Sequence, residues 1–145
     1  MKTSHAVAVL LVAMLGIVAA QNSSDEISLY TAAGKPVAYI ADDDDSIIYL
    51  WNGKPVAYLH SEDVYGFNGK HLGWFQKGVV YNHDGEIVGS TLSHLKGLAQ
   101  ISPIKSIKGI KPIKGIRELK PLKPLFGSSW SEDETLRTFL LAGAD

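Results

Sequence analysis

The sequence predicts an all-β protein made of four β-hairpin repeats, followed by an extended basic segment and a short terminal helix. Three observations lead to this prediction. A tyrosine–glycine pattern recurs four times between residues 28 and 92, each time around a turn-forming pair. An aliphatic residue then recurs at every third position from Ile101 to Leu125, a period that neither a helix nor a strand has. A Ser-Glu-Asp-Glu run at 131–134 finally marks a helix start.

The four repeats align on central glycines that lie 19, 16 and 16 residues apart, at Gly34, Gly53, Gly69 and Gly85. A tyrosine stands four residues before each glycine, and a small residue stands four after it. The tyrosines are Tyr30, Tyr49, Tyr65 and Tyr81, and the small residues are Ala38, Ala57, Gly73 and Gly89. A tyrosine ring opposite a small residue can pack over the space that the small side chain leaves in the facing strand. Because an isolated hairpin is unstable in water, we expect the four hairpins to pack side by side.

The centre of each repeat predicts a tight turn. Asn-Gly at 52–53 and 68–69, and Asp-Gly at 84–85, predict two-residue type I′ turns in which both residues have positive φ. Ala33-Gly34 fits this turn poorly, so a different type is predicted for the first repeat. In this register Leu50 faces Pro55 and Tyr49 faces Val56. The proline then falls at a pair without hydrogen bonds, where its missing N–H costs nothing.

These motifs resemble the four-fold β-flower family of small bacterial proteins. The resemblance covers Ser28 to about Leu92 and rests on Tyr-x-x-x-Gly-Lys-Pro-Val-Ala-Tyr in the first two repeats. The third repeat contributes residues 65–74 and the fourth Tyr81-Asn82-His83-Asp84-Gly85. The resemblance implies four pseudo-symmetric hairpins in a flower or propeller-like arrangement around a fourfold axis. It implies no activity and no functional residue, and the run Asp42–Asp45 matches no part of the family pattern.

Residues 96–127 form a basic, period-three segment, called the strap below. Each aliphatic residue from Ile104 to Leu122 is followed by Lys or Arg, and the third place is mostly Pro, Gly or Ser. Nine residues form what we call the aliphatic ladder: Ile101, Ile104, Ile107, Ile110, Ile113, Ile116, Leu119, Leu122 and Leu125. Polyproline II, with three residues per turn, would give one aliphatic and one basic edge. We predict a strap that lies on the hairpins with the ladder buried and the lysines near carboxylates; a disordered linker is the alternative.

The charge distribution favours this docking. Residues 21–95 carry four lysines against ten carboxylates, or −6, and residues 96–124 carry seven lysines and one arginine against one glutamate, or +7. Residues 125–145 carry one arginine against four carboxylates, or −3. An acidic body and a basic strap attract each other, although each surface ion pair contributes only about 0–1 kcal/mol.

Residues 1–20 have the layout of a secretory signal peptide, in which Lys2 precedes an apolar run that ends in small residues. A retained anchor is the alternative, but the run is shorter than the roughly 20 residues that span a bilayer. We therefore predict export, to the periplasm or by secretion, with no transmembrane span after cleavage. The chain has no cysteine, so the fold would be held without disulfides.

The predicted domains are the signal peptide (1–20), the four-hairpin domain (21–95), the strap (96–127) and a helical end (128–145). In the helical end, a capping box begins at Ser131, with acidic residues in the first turn. Leu136, Phe139 and Leu140 follow on one face, so we predict a short helix that docks on the hairpins.

No residue pattern predicts catalysis or a metal site. The run Asp42–Asp45 lacks the alternating ligands and the glycine of a calcium loop, and the mature histidines lack metal-site spacing. These are His60, His71, His83 and His94, and the hairpin pattern accounts for His71 and His83. No Gly-x-Ser-x-Gly motif occurs. Residues 96–124 contain no aromatic residue to stack bases and only one arginine, which argues against nucleic acid as a partner.

The leading functional hypothesis is an exported, non-catalytic binding or structural module without a cofactor. Its candidate binding residues are Tyr30, Tyr49, Tyr65 and Tyr81, which would line a cleft where the hairpins meet on the axis; core packing is the alternative role for these rings. A second hypothesis is an envelope-associating protein whose free basic strap binds an anionic surface. A third is a small periplasmic enzyme. The partner is otherwise unknown.

Overall fold

The computed structural model describes residues 25–145, and the predicted signal peptide lies outside the described residues. Eight strands form a closed antiparallel barrel in chain order, with β8 pairing back to β1. The strands are β1 (Ile27–Tyr30), β2 (Pro36–Ile40), β3 (Ile47–Leu50), β4 (Pro55–His60), β5 (Asp63–Gly66), β6 (His71–Gln76), β7 (Val79–Tyr81) and β8 (Ile87–Ser90). Each predicted repeat is one hairpin of this barrel, which confirms the all-β prediction.

All four hairpin turns share one geometry, and it is not the predicted type I′ turn. In the second repeat the Leu50 carbonyl accepts a hydrogen bond from Gly53 N–H at 2.9 Å, and Leu50 N–H donates to the Lys54 carbonyl at 2.8 Å. The same pair of bonds recurs in the other three repeats. This is a three-residue loop with a type I turn and a left-handed residue that forms a bulge. The prediction of a separate turn type for Ala33-Gly34 is therefore also wrong.

The turns differ from the predicted type I′ because, of the turn pair, only the glycine has positive φ. The central glycines of the four repeats have φ values of 79°, 91°, 89° and 78°, whereas Asn52, Asn68 and Asp84 are not among the described residues with positive φ. Asn52 contributes differently, because its Oδ1 accepts the Lys54 N–H at 3.0 Å. Ala33 fits the same turn since its position needs no left-handed conformation.

The longer loop changes the predicted register of every hairpin. Ile48 pairs with Ala57, but Tyr49 pairs with Pro55, and the register shift between them leaves Val56 as an extra residue. The predicted pairs of Leu50 with Pro55 and of Tyr49 with Val56 are wrong. An equivalent shift occurs in the other three hairpins. A bulge directs two successive side chains to one side of the sheet, and Val56 and Ala57 both belong to the same core cluster.

One hydrophobic cluster draws a buried side chain from each of the eight strands: Leu29, Ala38, Ile48, Val56, Val64, Leu72, Val80 and Val88. The inner face of a closed barrel is the surface that all its strands share, so this cluster is the barrel interior. A second cluster contains mainly aromatic residues and lies on the outer face: Tyr39, Ala41, Ile47, Tyr49, Tyr58, Tyr65 and Phe67. The fourfold axis is therefore packed with aliphatic side chains.

The terminal helix, α1 (Leu136–Leu141), completes this interior. Leu136, Phe139 and Leu140 are buried in the inner cluster, as the sequence predicts. The capping box lies four residues later than predicted, because Thr135 is the N-cap and exchanges hydrogen bonds with Thr138. Ser131 still accepts a hydrogen bond from Glu134 N–H at 3.2 Å, but the chain does not become helical there.

Candidate functional site: the strap and the tyrosine face

The strap follows the four hairpin turns in order, at intervals of nine residues. Residues 98–127 form neither helix nor strand. Their backbone N–H groups instead donate to the carbonyl oxygens of the four turn glycines, over distances of 2.8–2.9 Å. The four bonds are Gln100 to Gly34, Gly109 to Gly53, Glu118 to Gly69 and Gly127 to Gly85. Three periods of the strap thus correspond to one hairpin of the barrel.

The turn glycines also permit this close approach. A Cβ atom added to Gly53 would collide with the carbonyl oxygen of Ile107. The corresponding obstacles at the other turns are the carbonyl oxygens of Leu98, Ile116 and Leu125, again nine residues apart. Each glycine is therefore required twice, for its positive φ and for the absence of a side chain between turn and strap.

Each of the three edges of the strap has a distinct environment. The N–H donors to the turns all come from the third position of the period, including Ser106, which bonds to the Trp51 carbonyl, and Gly115, which bonds to the Phe67 carbonyl. The basic residues extend over the outer aromatic face of the barrel. The aliphatic ladder occupies the remaining edge, and its nine side chains are 94–97% exposed. The prediction of a buried ladder is wrong, because the turns and the aromatic face already occupy the two inward edges.

The basic edge makes two kinds of contact with the barrel. The first is with aromatic rings: Lys105 Nζ lies 4.3 Å from the ring centre of Tyr39, and Lys114 Nζ lies 4.4 Å from that of Tyr58. Cations so close to a ring face are attracted by its quadrupole. Arg117 lies 5.8 Å from the ring of Tyr65. The lysine stems thereby cover the outer aromatic cluster.

The second kind of contact is with carboxylates, as predicted for the lysines. Glu26 pairs with Lys105 at 2.6 Å and with Lys108 at 3.0 Å. Burial opposes the ionisation of Glu26, but the two lysines outweigh it and lower the pKa of this carboxyl. The remaining pairs, at 3.1–3.6 Å, are Lys111 and Lys114 with Asp45, Lys120 with Asp63, and Lys123 with Glu62.

The four predicted tyrosines are not brought together on the axis. Tyr49 and Tyr65 belong to the outer cluster, and Tyr65 OH donates to the Glu118 carbonyl at 3.3 Å. Tyr30 is 8% exposed, and Tyr81 stacks on Phe126 with ring centres 4.0 Å apart. The predicted axial cleft is wrong, because the bulge turns the aliphatic–small pair inward and the tyrosine outward.

A chain of polar side chains, which sequence reasoning missed, interrupts the aromatic face in the third and fourth repeats. His71 Nε2 lies 2.9 Å from Asp63 Oδ1, and His71 Nδ1 lies 3.0 Å from His83 Nε2. Asp63 and His71 are 4% and 2% exposed, whereas His83 is exposed. Two strap residues complete the group, since Lys120 Nζ bonds Asp63 Oδ2 at 3.1 Å and Glu118 Oε1 accepts His71 N–H at 2.8 Å.

The surroundings set the protonation of this group. Burial lowers the pKa of His71, and Asp63 only partly opposes that effect. Burial also opposes the ionisation of Asp63, but hydrogen bonds from His71 and Lys120 outweigh it and lower the pKa of the carboxyl. A neutral His71 therefore donates its Nε2–H to an ionised Asp63 and accepts from His83 through Nδ1.

The sequence did contain a signal for this group. In the second repeat the positions of Asp63, His71 and His83 are occupied by Ile47, Pro55 and Trp51. Three titratable residues at positions that are apolar in another copy suggest a shared contact. The hairpin pattern accounts for His71 and His83 one at a time and gives no reason to connect them with Asp63.

Two further observations limit the chemistry of the described part of the chain. Among residues 25–145, no three His, Cys, Asp or Glu side chains are grouped to hold a metal ion. No helix in the same range is long and apolar enough to cross a membrane.

Comparison with known proteins identifies the family. A family model described as 4-fold beta flower protein matches residues 27–140. Neither the comparison with curated proteins nor the comparison with solved structures gives a match. The family match spans 114 of 145 residues (140 − 27 + 1) and includes the eight strands and the strap. The chain therefore belongs to the 4-fold beta flower protein family.

Proposed function

We propose that this protein is an exported, non-catalytic binding module whose docking surface is the outward edge of the strap. The observation that carries the proposal is the 94–97% exposure of all nine ladder residues. Isolated exposed aliphatic residues are common on soluble proteins, but an ordered row of nine is not. Such a row raises the free energy of the solvated protein, and contact with a partner would relieve that cost.

The two other candidate surfaces, the fourfold axis and the outer tyrosine face, are already covered by other parts of the chain, and this supports the choice of the ladder. The fourfold axis is filled by the inner cluster. The outer tyrosine face is covered by strap lysines, as the contacts of Lys105 and Lys114 illustrate. Among residues 25–145, the large hydrophobic side chains that remain 94–97% exposed are those of the ladder and of Leu98.

Export is the second part of the proposal, and it rests on the signal-peptide layout of residues 1–20. The chain should be produced from its full sequence in a Gram-negative host, and the mass of the mature chain should show removal of the leader. Cell fractionation then measures how much of the mature chain remains with the washed envelope.

The docking surface is tested with a matched pair of variants. The ladder variant carries Ile110→Ser and Ile113→Ser, at positions that are 95% and 96% exposed. The control variant carries Ile27→Ser and Leu92→Ser, which remove two exposed aliphatic residues outside the strap. We expect envelope retention of the wild type and the control variant but not of the ladder variant. Equal retention of the two variants, or an unprocessed chain, would contradict the proposal.

A further inference from the structure

Resting on the proposed function, we propose that the ladder binds one class of surface, an anionic phospholipid bilayer, into which its aliphatic tips insert. The strap would then be an interfacial anchor that lies on the membrane.

The topology places the whole ladder at one end of the barrel. In an up-and-down barrel the turns β1–β2, β3–β4, β5–β6 and β7–β8 all lie at the same end. The strap is bonded to these four turns in succession, so the ladder follows the rim of that end. Residues on a single rim can reach a flat surface at the same time, whereas a ladder along the barrel axis could not.

The lysines point away from that end, and this orientation directs the ladder outward. Their carboxylate partners Glu26, Asp45 and Glu62 precede β1, β3 and β5, at the end of the barrel opposite to the turns. The lysine stems therefore run along the barrel wall from the rim. Two edges of the strap thus face the protein, and the third projects the aliphatic side chains away from it.

The spacing of the ladder favours lipid over a folded protein. Successive members are three residues apart, roughly 9 Å in an extended chain that rises about 3.1 Å per residue. At 94–97% exposure they do not cover one another, so they form separate tips and no continuous patch. A protein interface needs closely packed, complementary surfaces. A fluid bilayer accepts separate aliphatic side chains at its acyl boundary, with basic residues beside them.

The charge of the strap selects the headgroup. Six lysines are paired with four carboxylates, because Glu26 and Asp45 each serve two. Arg117 adds a further positive charge against the ring of Tyr65. The strap therefore keeps an excess of positive charge along the barrel wall below the rim. Three of the four turns add an exposed lysine at the rim itself, directly after the turn glycine: Lys35, Lys54 and Lys70. Basic residues near a membrane favour anionic headgroups, and salt weakens the attraction.

Vesicle binding tests the inference directly. The chain purified after export is sedimented with vesicles of phosphatidylcholine, and with vesicles of phosphatidylcholine and phosphatidylglycerol in equal parts. We expect stronger binding to the anionic vesicles. The ladder variant should bind at least about tenfold more weakly, since burial of one aliphatic side chain contributes about a factor of ten or more. The control variant should stay within about twofold of the wild type.

The absence of cysteine allows a second readout that reports insertion itself. Ile113→Cys and, as a control, Leu92→Cys each provide a unique thiol for an environment-sensitive fluorophore. We expect a blue shift on anionic vesicles from the label at 113 and none from the label at 92. Vesicle binding without a shift at 113, or equal shifts at both positions, would overturn the inference.

The outcomes separate this inference from the proposed function. Ladder-dependent envelope retention without vesicle binding would overturn the lipid inference and leave the docking surface standing, with a protein or polysaccharide partner. If neither envelope retention nor vesicle binding depends on the ladder, the docking surface and the lipid inference are both overturned. A ladder-dependent dimer in light scattering that does not bind vesicles would also overturn the lipid inference, since the occupant would then be a second copy of the chain.

Discussion

The substitution Gly53→Ala tests whether the hairpin turns hold the strap, because it should weaken two adjacent hydrogen bonds between a turn and the strap. A left-handed conformation costs alanine about 1–2 kcal/mol, and Gly53 has φ 91°. The added methyl group would also collide with the Ile107 carbonyl. That collision displaces the strap and breaks the bonds from Gly109 N–H to Gly53 and from Ser106 N–H to Trp51. Each bond contributes about 0.5–1.5 kcal/mol, so the total loss is about 2–5 kcal/mol.

Two measurements follow this change. Thermal unfolding should show a fall in Tm on the order of 10 °C for a domain of this size. Limited trypsin digestion should cleave faster within the strap, where lysine or arginine recurs at every third position from 105 to 123. Gly97→Ala is the matched control, because Gly97 has no positive φ and no atom lies within 4 Å of its added Cβ. If Gly53→Ala unfolds and is cleaved like Gly97→Ala, the account of the turn–strap contact is wrong.

Two further predictions concern the barrel. Burial lowers the pKa of His71 below its ordinary value of 6.5. The unfolded chain therefore binds more protons than the folded chain as the pH drops through about 6.5, and the free energy of unfolding should fall. The lowered pKa of Asp63 adds a second decrease in the free energy of unfolding as the pH falls below 3.8. His71→Gln should flatten the dependence of Tm on pH between 7.5 and about 5.0, and an unchanged slope would show that His71 does not titrate on unfolding. Gly73→Ala should lower the free energy of unfolding by about 1–3 kcal/mol in denaturant unfolding, since its Cβ would meet a backbone carbonyl and the ring of Phe139. Gly89→Ala should cost less, because its Cβ meets only a leucine side chain that can move; equal losses would contradict this comparison.

The repeat pattern was sufficient to predict the four hairpins, because turn glycines, tyrosines and small residues act within each hairpin. It also predicted the buried face of α1, since Leu136, Phe139 and Leu140 keep helical spacing. The turn type and register were not predictable in this way. Asn-Gly suits both a type I′ turn and a type I turn with a bulge, and the choice depends on how the hairpins close into a barrel.

The candidate site was predicted only in part. The charge segregation and the period of three pointed to a strap whose lysines meet carboxylates. The tyrosines were predicted to lie on the axis, but Tyr49 and Tyr65 lie in the outer cluster and Tyr81 stacks on Phe126. The hydrogen-bonded group of Asp63, His71 and His83 joins residues 8 and 12 positions apart, and it forms only when adjacent hairpins pack in register.

Local periodicity is enough to predict four hairpins and an extended segment with an aliphatic and a basic edge, because each pattern repeats over neighbouring residues. Which edge of the strap faces the protein depends instead on contacts between distant parts of the chain. The turns satisfy the N–H groups of the third position, and the outer aromatic face receives the lysines. The aliphatic ladder therefore lies in solvent. Hydrophobicity alone predicts the opposite, because burial depends on which surfaces are still uncovered once the barrel has closed.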